Sequence, residues 1–188
     1  MEPEQPVESA RPGIIRTFVN IVVMVAFIFG LSWLLRVYVF QAFEIPSASM
    51  ETTIMTGDMV FAEKMSYYFR EPAPGDIVTF EDPEIPGRIL IKRCIAAGGS
   101  VVDINDADGL VYVDGVPLDE PYTNGKPSYT LPGGVTFPYT VPEDSIWVMG
   151  DNRTNSQDSR YFGAIPCDSV TGHGMVVYWP LDSIRLLE

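Results

Sequence analysis

The sequence predicts a mostly β protein: one N-terminal transmembrane helix, then an antiparallel β-sheet domain that carries a β-rich insertion. Three observations predict it. Residues 17–35, TFVNIVVMVAFIFGLSWLL, hold no charge and are bracketed by Arg16 and Arg36. Beyond Phe43 the chain turns into short runs rich in β-branched and aromatic residues, separated by glycine and proline. No amphipathic helix of ordinary length interrupts those runs.

The elements follow in chain order. Residues 1–16 carry three prolines and little hydrophobicity, so they read as a disordered tail. Residues 17–36 form the transmembrane helix. Nineteen helical residues rise roughly 28 Å, close to the hydrocarbon thickness of a bilayer. The run is too long for the h-region of a cleaved leader, which is about 7–15 residues. It is apolar all round, unlike a core helix with a solvent face. Arg11 and Arg16 precede the span and Arg36 follows it, which favours a cytoplasmic N-terminus in a single-pass cell-membrane protein. Trp33, Tyr38, Phe40 and Phe43 gather at the far end, as an interfacial aromatic belt would.

Residues 37–188 then form the extracytoplasmic domain, long enough to bury a core without disulfide or metal support. Six runs are strand candidates: GDMVFAEK, GDIVTFE, RILIKRCIAA, LVYVDGVPL, SIWVMGD and GHGMVVYWP. Asp114-Gly115 is a hairpin signal, since a type I′ turn needs two residues at positive φ. Residues near 103–143 are richer in Gly, Pro, Asp and Tyr, and read as a hairpin insertion appended to the core.

Composition removes several function classes. The net charge is −13, so no basic stripe exists to neutralise phosphates, and nucleic acid is excluded as a partner. The two cysteines, Cys94 and Cys167, lack metal-ligand spacing, and neither a metal nor another cofactor is expected. Outside the cytoplasm they are free to pair, but in a domain this size they read rather as unpaired core residues. No second subunit is implied, and a monomer is expected.

The candidate chemistry starts at RILIKRCI, residues 88–95. On a strand, Arg88, Leu90, Lys92 and Cys94 share one face, and Ile89, Ile91, Arg93 and Ile95 the other. Lys92 is thus flanked on its own face by two apolar side chains. One reading is a lysine snorkelling to solvent. The other is a desolvated amine whose pKa falls far enough for it to act as a general base. The single histidine, His173, lies between glycines with nothing to mark it, and reads as a surface or turn residue.

Three segments now come together: SM at 49–50, LIKR at 90–93 and MGDNRTNSQDSRYFG at 149–163. In that order and spacing they resemble type I signal peptidases, the membrane-bound Ser-Lys proteases that remove secretory signal peptides. PGDIVTF (74–80), VDGVPLDEPY (113–122) and YWP (178–180) extend the resemblance over nearly the whole chain. The lysine points to the bacterial form, because the endoplasmic-reticulum counterparts carry histidine there. The resemblance implies a signal-peptidase-like fold, cleavage after A-x-A-like sites, and two partners: secretory preproteins with signal peptides, and the lipid bilayer. It implies Ser49 as nucleophile and Lys92 as general base. Ser47 would support the oxyanion together with the Ser49 N–H, Ser156 would hydrogen-bond and orient the lysine, and Asp158 would pair with Arg160. Gly150, Asp151, Asn152 and Arg153 would form the turn behind them. Two local departures stand out: Thr52 where the family carries proline, and AAGGS at 96–100 where it carries Gly-x-Pro-Gly-Asp. Two alternatives sit beside this expectation: a specialised peptidase for a narrow substrate set such as pilins, and an inactive membrane-tethered β module that binds secretory chains.

Overall fold

The structure, a computed structural model, describes residues 13–187. The chain divides into two compact units after Val37. The first unit is a helix, α1, over Ile14–Tyr38. It begins earlier and ends later than the 17–36 read from the uncharged run. The charge-free window ends at Arg16 and Arg36, but arginine is a good helix former and Ile14 and Ile15 continue the apolar run. Residues 14–16 are therefore helical rather than tail, and residues 1–12 lie outside the described part. At 25 residues α1 rises roughly 37 Å, and it is long and apolar enough to cross a membrane.

The second unit is almost entirely antiparallel β. Its first four strands are β1 (Phe40–Glu44), β2 (Met59–Glu63), β3 (Ile77–Glu81) and β4 (Ile89–Ala97). Four more form a small sheet: β5 (Val101–Asn105), β6 (Leu110–Val113), β7 (Val116–Pro117) and β8 (Tyr139–Thr140). The chain closes with β9 (Ser145–Met149), β10 (Ile165–Pro166), β11 (Val170–Trp179) and β12 (Arg185–Leu186), broken by one short helix, α2 (Ser159–Phe162). The large sheet runs β1-β2-β11-β3-β4-β9-β10, with β12 paired to β11. The small sheet runs β7-β6-β5-β8. Each of the six candidate runs contributes a strand, and Asp114 and Gly115 turn the β6–β7 hairpin with φ of 53° and 79°.

Burial falls into three apolar clusters. One gathers Ile45, Met50, Ile54, Val60, Ile77 and Val177. A second gathers Val78, Phe80, Cys94, Ile146, Val148 and Ile165. The third joins the two sheets: Val102, Ile104 and Val111 of the small sheet pack with Ile95, Ala96, Trp147 and Met149 of the large one. The β-rich insertion expected near 103–143 thus shares a core with the large sheet. Strand alternation tells which residues of β5 and β6 face inward, but not what covers them. A bulge between Cys94 and Ala96 helps, because an extra residue in one strand re-aims the side chains beside it, and both Ile95 and Ala96 enter the shared cluster.

The cysteines are free, with Cys94 buried and Cys167 half-buried against the second cluster. His173 is not a turn residue. It lies on β11 opposite Glu63 and Val78, with its ring nitrogens 3.7 Å from carboxylate oxygens of Glu63 and Asp76.

Candidate active site

The Ser47–Met50 segment leaves β1 and closes into a single 3-10 turn over Ala48–Met50. Met50 is fully buried in the first cluster and pins the turn. Ser49 is buried beside it, and its Oγ lies 2.7 Å from Lys92 Nζ. Ser47, extended at φ −133° and ψ 155°, places its Oγ 3.4 Å from that of Ser49. The sequence thus brings the two serines and the lysine together as expected.

Lys92 is on β4, paired with Val78 of β3, and only 2% exposed. Leu90 and Cys94, its neighbours on the same face, both pack in the Val78–Phe80 cluster. Besides Ser49, its Nζ–H donates to the Ile91 carbonyl at 2.9 Å. Burial pushes the Lys92 ammonium down to about 8, while the negative charges of Asp158 and Asp151 pull the other way. The snorkelling reading therefore fails: the amine is dry.

Ser156 departs from expectation. Its hydroxyl is buried and makes no hydrogen bond to Lys92 or to any other group among the described residues. The side chain instead packs down over Gly150, where an added Cβ would lie 2.3 Å from Ser156 Oγ and 2.4 Å from the Ser49 carbonyl oxygen. The hydroxyl lies close over the turn and is not bonded to the lysine. Asp158 and Arg160 pair as expected, through bonds of 2.9 Å and 3.0 Å, with both residues buried. Asp158 also accepts the Gly150 N–H at 3.1 Å and caps the start of α2 by accepting the Arg160 N–H.

The 150–153 turn holds the Ser49 backbone from behind. The Asn152 backbone N–H donates to the Ser49 carbonyl at 3.1 Å, and its side-chain amide to the Ala48 carbonyl at 2.9 Å. Arg93 grips both oxygens of Asp151 at 3.0 Å and 2.9 Å, and Thr53 donates to the same carboxylate. Sequence reading missed this partnership, and it missed Glu120, Tyr122, Lys126 and Ser128, which reach the turn from the small sheet's loop. Arg153 binds Glu120 at 2.9 Å and 2.5 Å and Ser128 at 2.7 Å. The signal was faint: an arginine beside the lysine, and a DEPY stretch in a segment read as peripheral.

A cavity of about 170 Å³ opens at Ser49 and Lys92. Phe43, Ile45 and Pro46 wall one side, and Leu90 and Ile91 the other. A second, more polar hollow of about 240 Å³ shares Ser47, Ser49 and Lys92 and is closed by Arg88, Asn155 and Gln157. Among the described residues no cluster of His, Cys, Asp or Glu could hold a metal ion.

A serine hydroxyl thus touches a buried amine beside a cavity of the β domain. Comparison with known proteins gives the family. The pattern of signal peptidase, peptidase S26, matches residues 15–179, and the chain belongs to that family. A probable signal peptidase I-1 of Synechocystis is 41% identical over 164 residues, covering 84% of this chain and 79% of the relative. A chloroplastic thylakoidal processing peptidase 1 of Arabidopsis thaliana is 36% identical, covering 72% of this chain and 41% of the relative. Among solved structures, a signal peptidase I from Enterococcus faecalis is 34% identical with a TM-score of 0.45, covering 55% of this chain and 97% of that one.

Proposed function

We propose that this protein is a membrane-bound serine endopeptidase that removes N-terminal signal peptides from secreted preproteins, using Ser49 and Lys92. The observation that carries this reading is the 2.7 Å contact between Ser49 Oγ and an amine shielded from water. A serine hydroxyl is a poor nucleophile until a base takes its proton. An ammonium cannot take it, and burial is what frees the Lys92 lone pair near neutral pH. The neutral amine accepts the hydroxyl proton as Ser49 Oγ attacks the scissile carbonyl. The oxyanion that forms is stabilised by the Ser49 backbone N–H and the Ser47 hydroxyl. The Lys92 ammonium then returns its proton to the leaving amine, and water completes the cycle through the same base.

α1 is the single membrane span, with the N-terminus cytoplasmic and the β domain outside. Secretory preproteins present their cleavage bond at the same surface. Residue types near the cut follow from the family: small side chains at the last and third-last positions of the signal peptide, as in A-x-A. The apolar cavity beside Ser49 suits them, being well below the roughly 300–1,000 Å³ of pockets that take drug-sized ligands.

The test is cleavage of a preprotein in detergent by wild type and by Ser49→Ala at matched concentration. Loss of product with Ser49→Ala, and retained cleavage with His173→Ala, is the expected result. Ser47→Ala is expected to lower kcat by about 10²-fold with little change in KM, as for loss of one oxyanion donor. Wild-type cleavage by Ser49→Ala would overturn the assignment.

A further inference from the structure

The small sheet's loop reaches the nucleophile through one aromatic ring. Tyr122, in the Pro121–Thr123 turn between β7 and β8, lies between two buried guanidinium groups. Arg93 Cζ is 4.1 Å from the ring centroid and Arg153 Cζ is 5.8 Å from it. Both distances are within the reach of cation–π attraction, which strengthens when the partners are desolvated. The phenol donates to Glu120 at 2.9 Å, and the Tyr122 carbonyl accepts from Thr52 at 3.3 Å. From the same loop, Lys126 Nζ donates to Asn152 Oδ1 at 2.8 Å.

We propose that Tyr122 is a positioning residue for the nucleophile: its ring, held between Arg93 and Arg153, fixes the 150–153 turn against the Ala48 and Ser49 carbonyls. The reading rests on the peptidase function proposed above. The physical chain is short. Arg93 holds Asp151, Arg153 Nε donates to the Gly150 carbonyl at 3.0 Å, and between those two residues Asn152 clamps the backbone on which Ser49 sits. A ring that packs against both arginines ties their positions to each other, and Lys126 supplies a second tie from the same loop. Burial and the Glu120 carboxylate push the phenol's pKa upward, so the ring stays neutral over the range in which Lys92 loses its proton. Positioning is where a distant residue acts on rate, because misplacing a nucleophile by about 1 Å costs on the order of 10²-fold.

The test is steady-state cleavage of a preprotein by the full-length protein in detergent, below the lowest melting temperature of the set. Tyr122→Leu is expected to lower kcat by about ten- to a hundred-fold with KM within about twofold, and Tyr122→Phe, which keeps the ring, to recover most of that turnover. Lys126→Met, which leaves the core untouched, is expected to lower kcat several-fold at an unchanged melting temperature. Wild-type kcat in folded Tyr122→Leu, or a loss in Tyr122→Phe as deep as in Leu, would overturn the proposal. Should Tyr122→Leu not fold, unchanged kcat in Lys126→Met would overturn it. Ser49→Ala runs alongside: cleavage by that variant would remove the peptidase reading itself, whatever the Tyr122 series shows.

Discussion

Lys92→Met is expected to abolish preprotein cleavage and, at neutral pH, to raise the melting temperature. The loss of activity follows from the role of base proposed for Lys92. The gain in stability follows from the linkage between burial and protonation. Lys92 titrates at about 8 in the folded protein, against 10.5 in the open chain. Below pH 8 both states bind the proton, and the folded state bears the full cost of a buried ammonium. A shift of that size corresponds to about 3 kcal/mol. As pH rises from 8 towards 10.5 the folded state sheds its proton first, so wild-type stability climbs through that window and the cost is gone above it. Methionine has a similar unbranched shape and no charge to bury. At pH 7 the variant should melt several degrees above wild type, since 1 kcal/mol moves the midpoint of a chain this size by about 2–4 °C. The gap should narrow as pH rises above 8 and close above about pH 10.5. Thermal melts of both proteins at pH 6, 7, 9 and 10 check it, and a variant less stable than wild type at pH 7 would sink it. The same titration sets the wild-type rate profile: kcat/KM should rise with pH up to about 8, falling roughly tenfold per unit below.

Asp158→Asn is expected to produce the largest loss of stability in the site. Asp158 and Arg160 are fully buried, and the carboxylate meets the guanidinium twice. Removing the anion leaves a cation in the interior, which costs about 3–5 kcal/mol. The Arg153 carbonyl, which accepts from Arg160 at 2.8 Å, and the retained amide oxygen of Asn keep the cost towards the lower end. A fall of roughly 10 °C in melting temperature is expected. The rate profile of the folded variant should move the other way. Asp158 raises the Lys92 pKa by its charge, so without it the amine deprotonates at lower pH and the rising limb shifts towards acid. Melting at the wild-type temperature, or a limb displaced towards alkali, would show that Asp158 does not act through its charge.

Much of this molecule was legible from local pattern. The uncharged run marked α1, and alternation with glycine and proline punctuation marked the long strands. The flanks of Lys92 were readable because a strand places residues two apart on one face, and Leu90 and Cys94 do line its side. What pattern does not carry is the third dimension beyond one strand. Nothing in VYVDGVPL says that the small sheet shares a core with Trp147 and Met149. Nothing in DEPY says that Tyr122 stacks on an arginine 29 positions away. Ser156 shows a finer limit. Family spacing assigned it to Lys92, but its hydroxyl packs close over Gly150 and makes no hydrogen bond among the described residues.

The place of β11 bears on when the protein becomes active. It lies between β2 and β3 in the large sheet, although it is the last long strand of the chain. Ser49 belongs to the β1–β2 side of that seam, and Lys92 to the β3–β4 side. Until residues 170–179 have been synthesised and delivered, the two halves have no strand to join them, and the Asn152 clamp arrives only about 20 residues sooner. A nascent chain that has already exposed its serine and its lysine therefore holds both reactive groups but no site. The arrangement that brings Ser49 to Lys92 is therefore complete only once β11 has taken its place between β2 and β3.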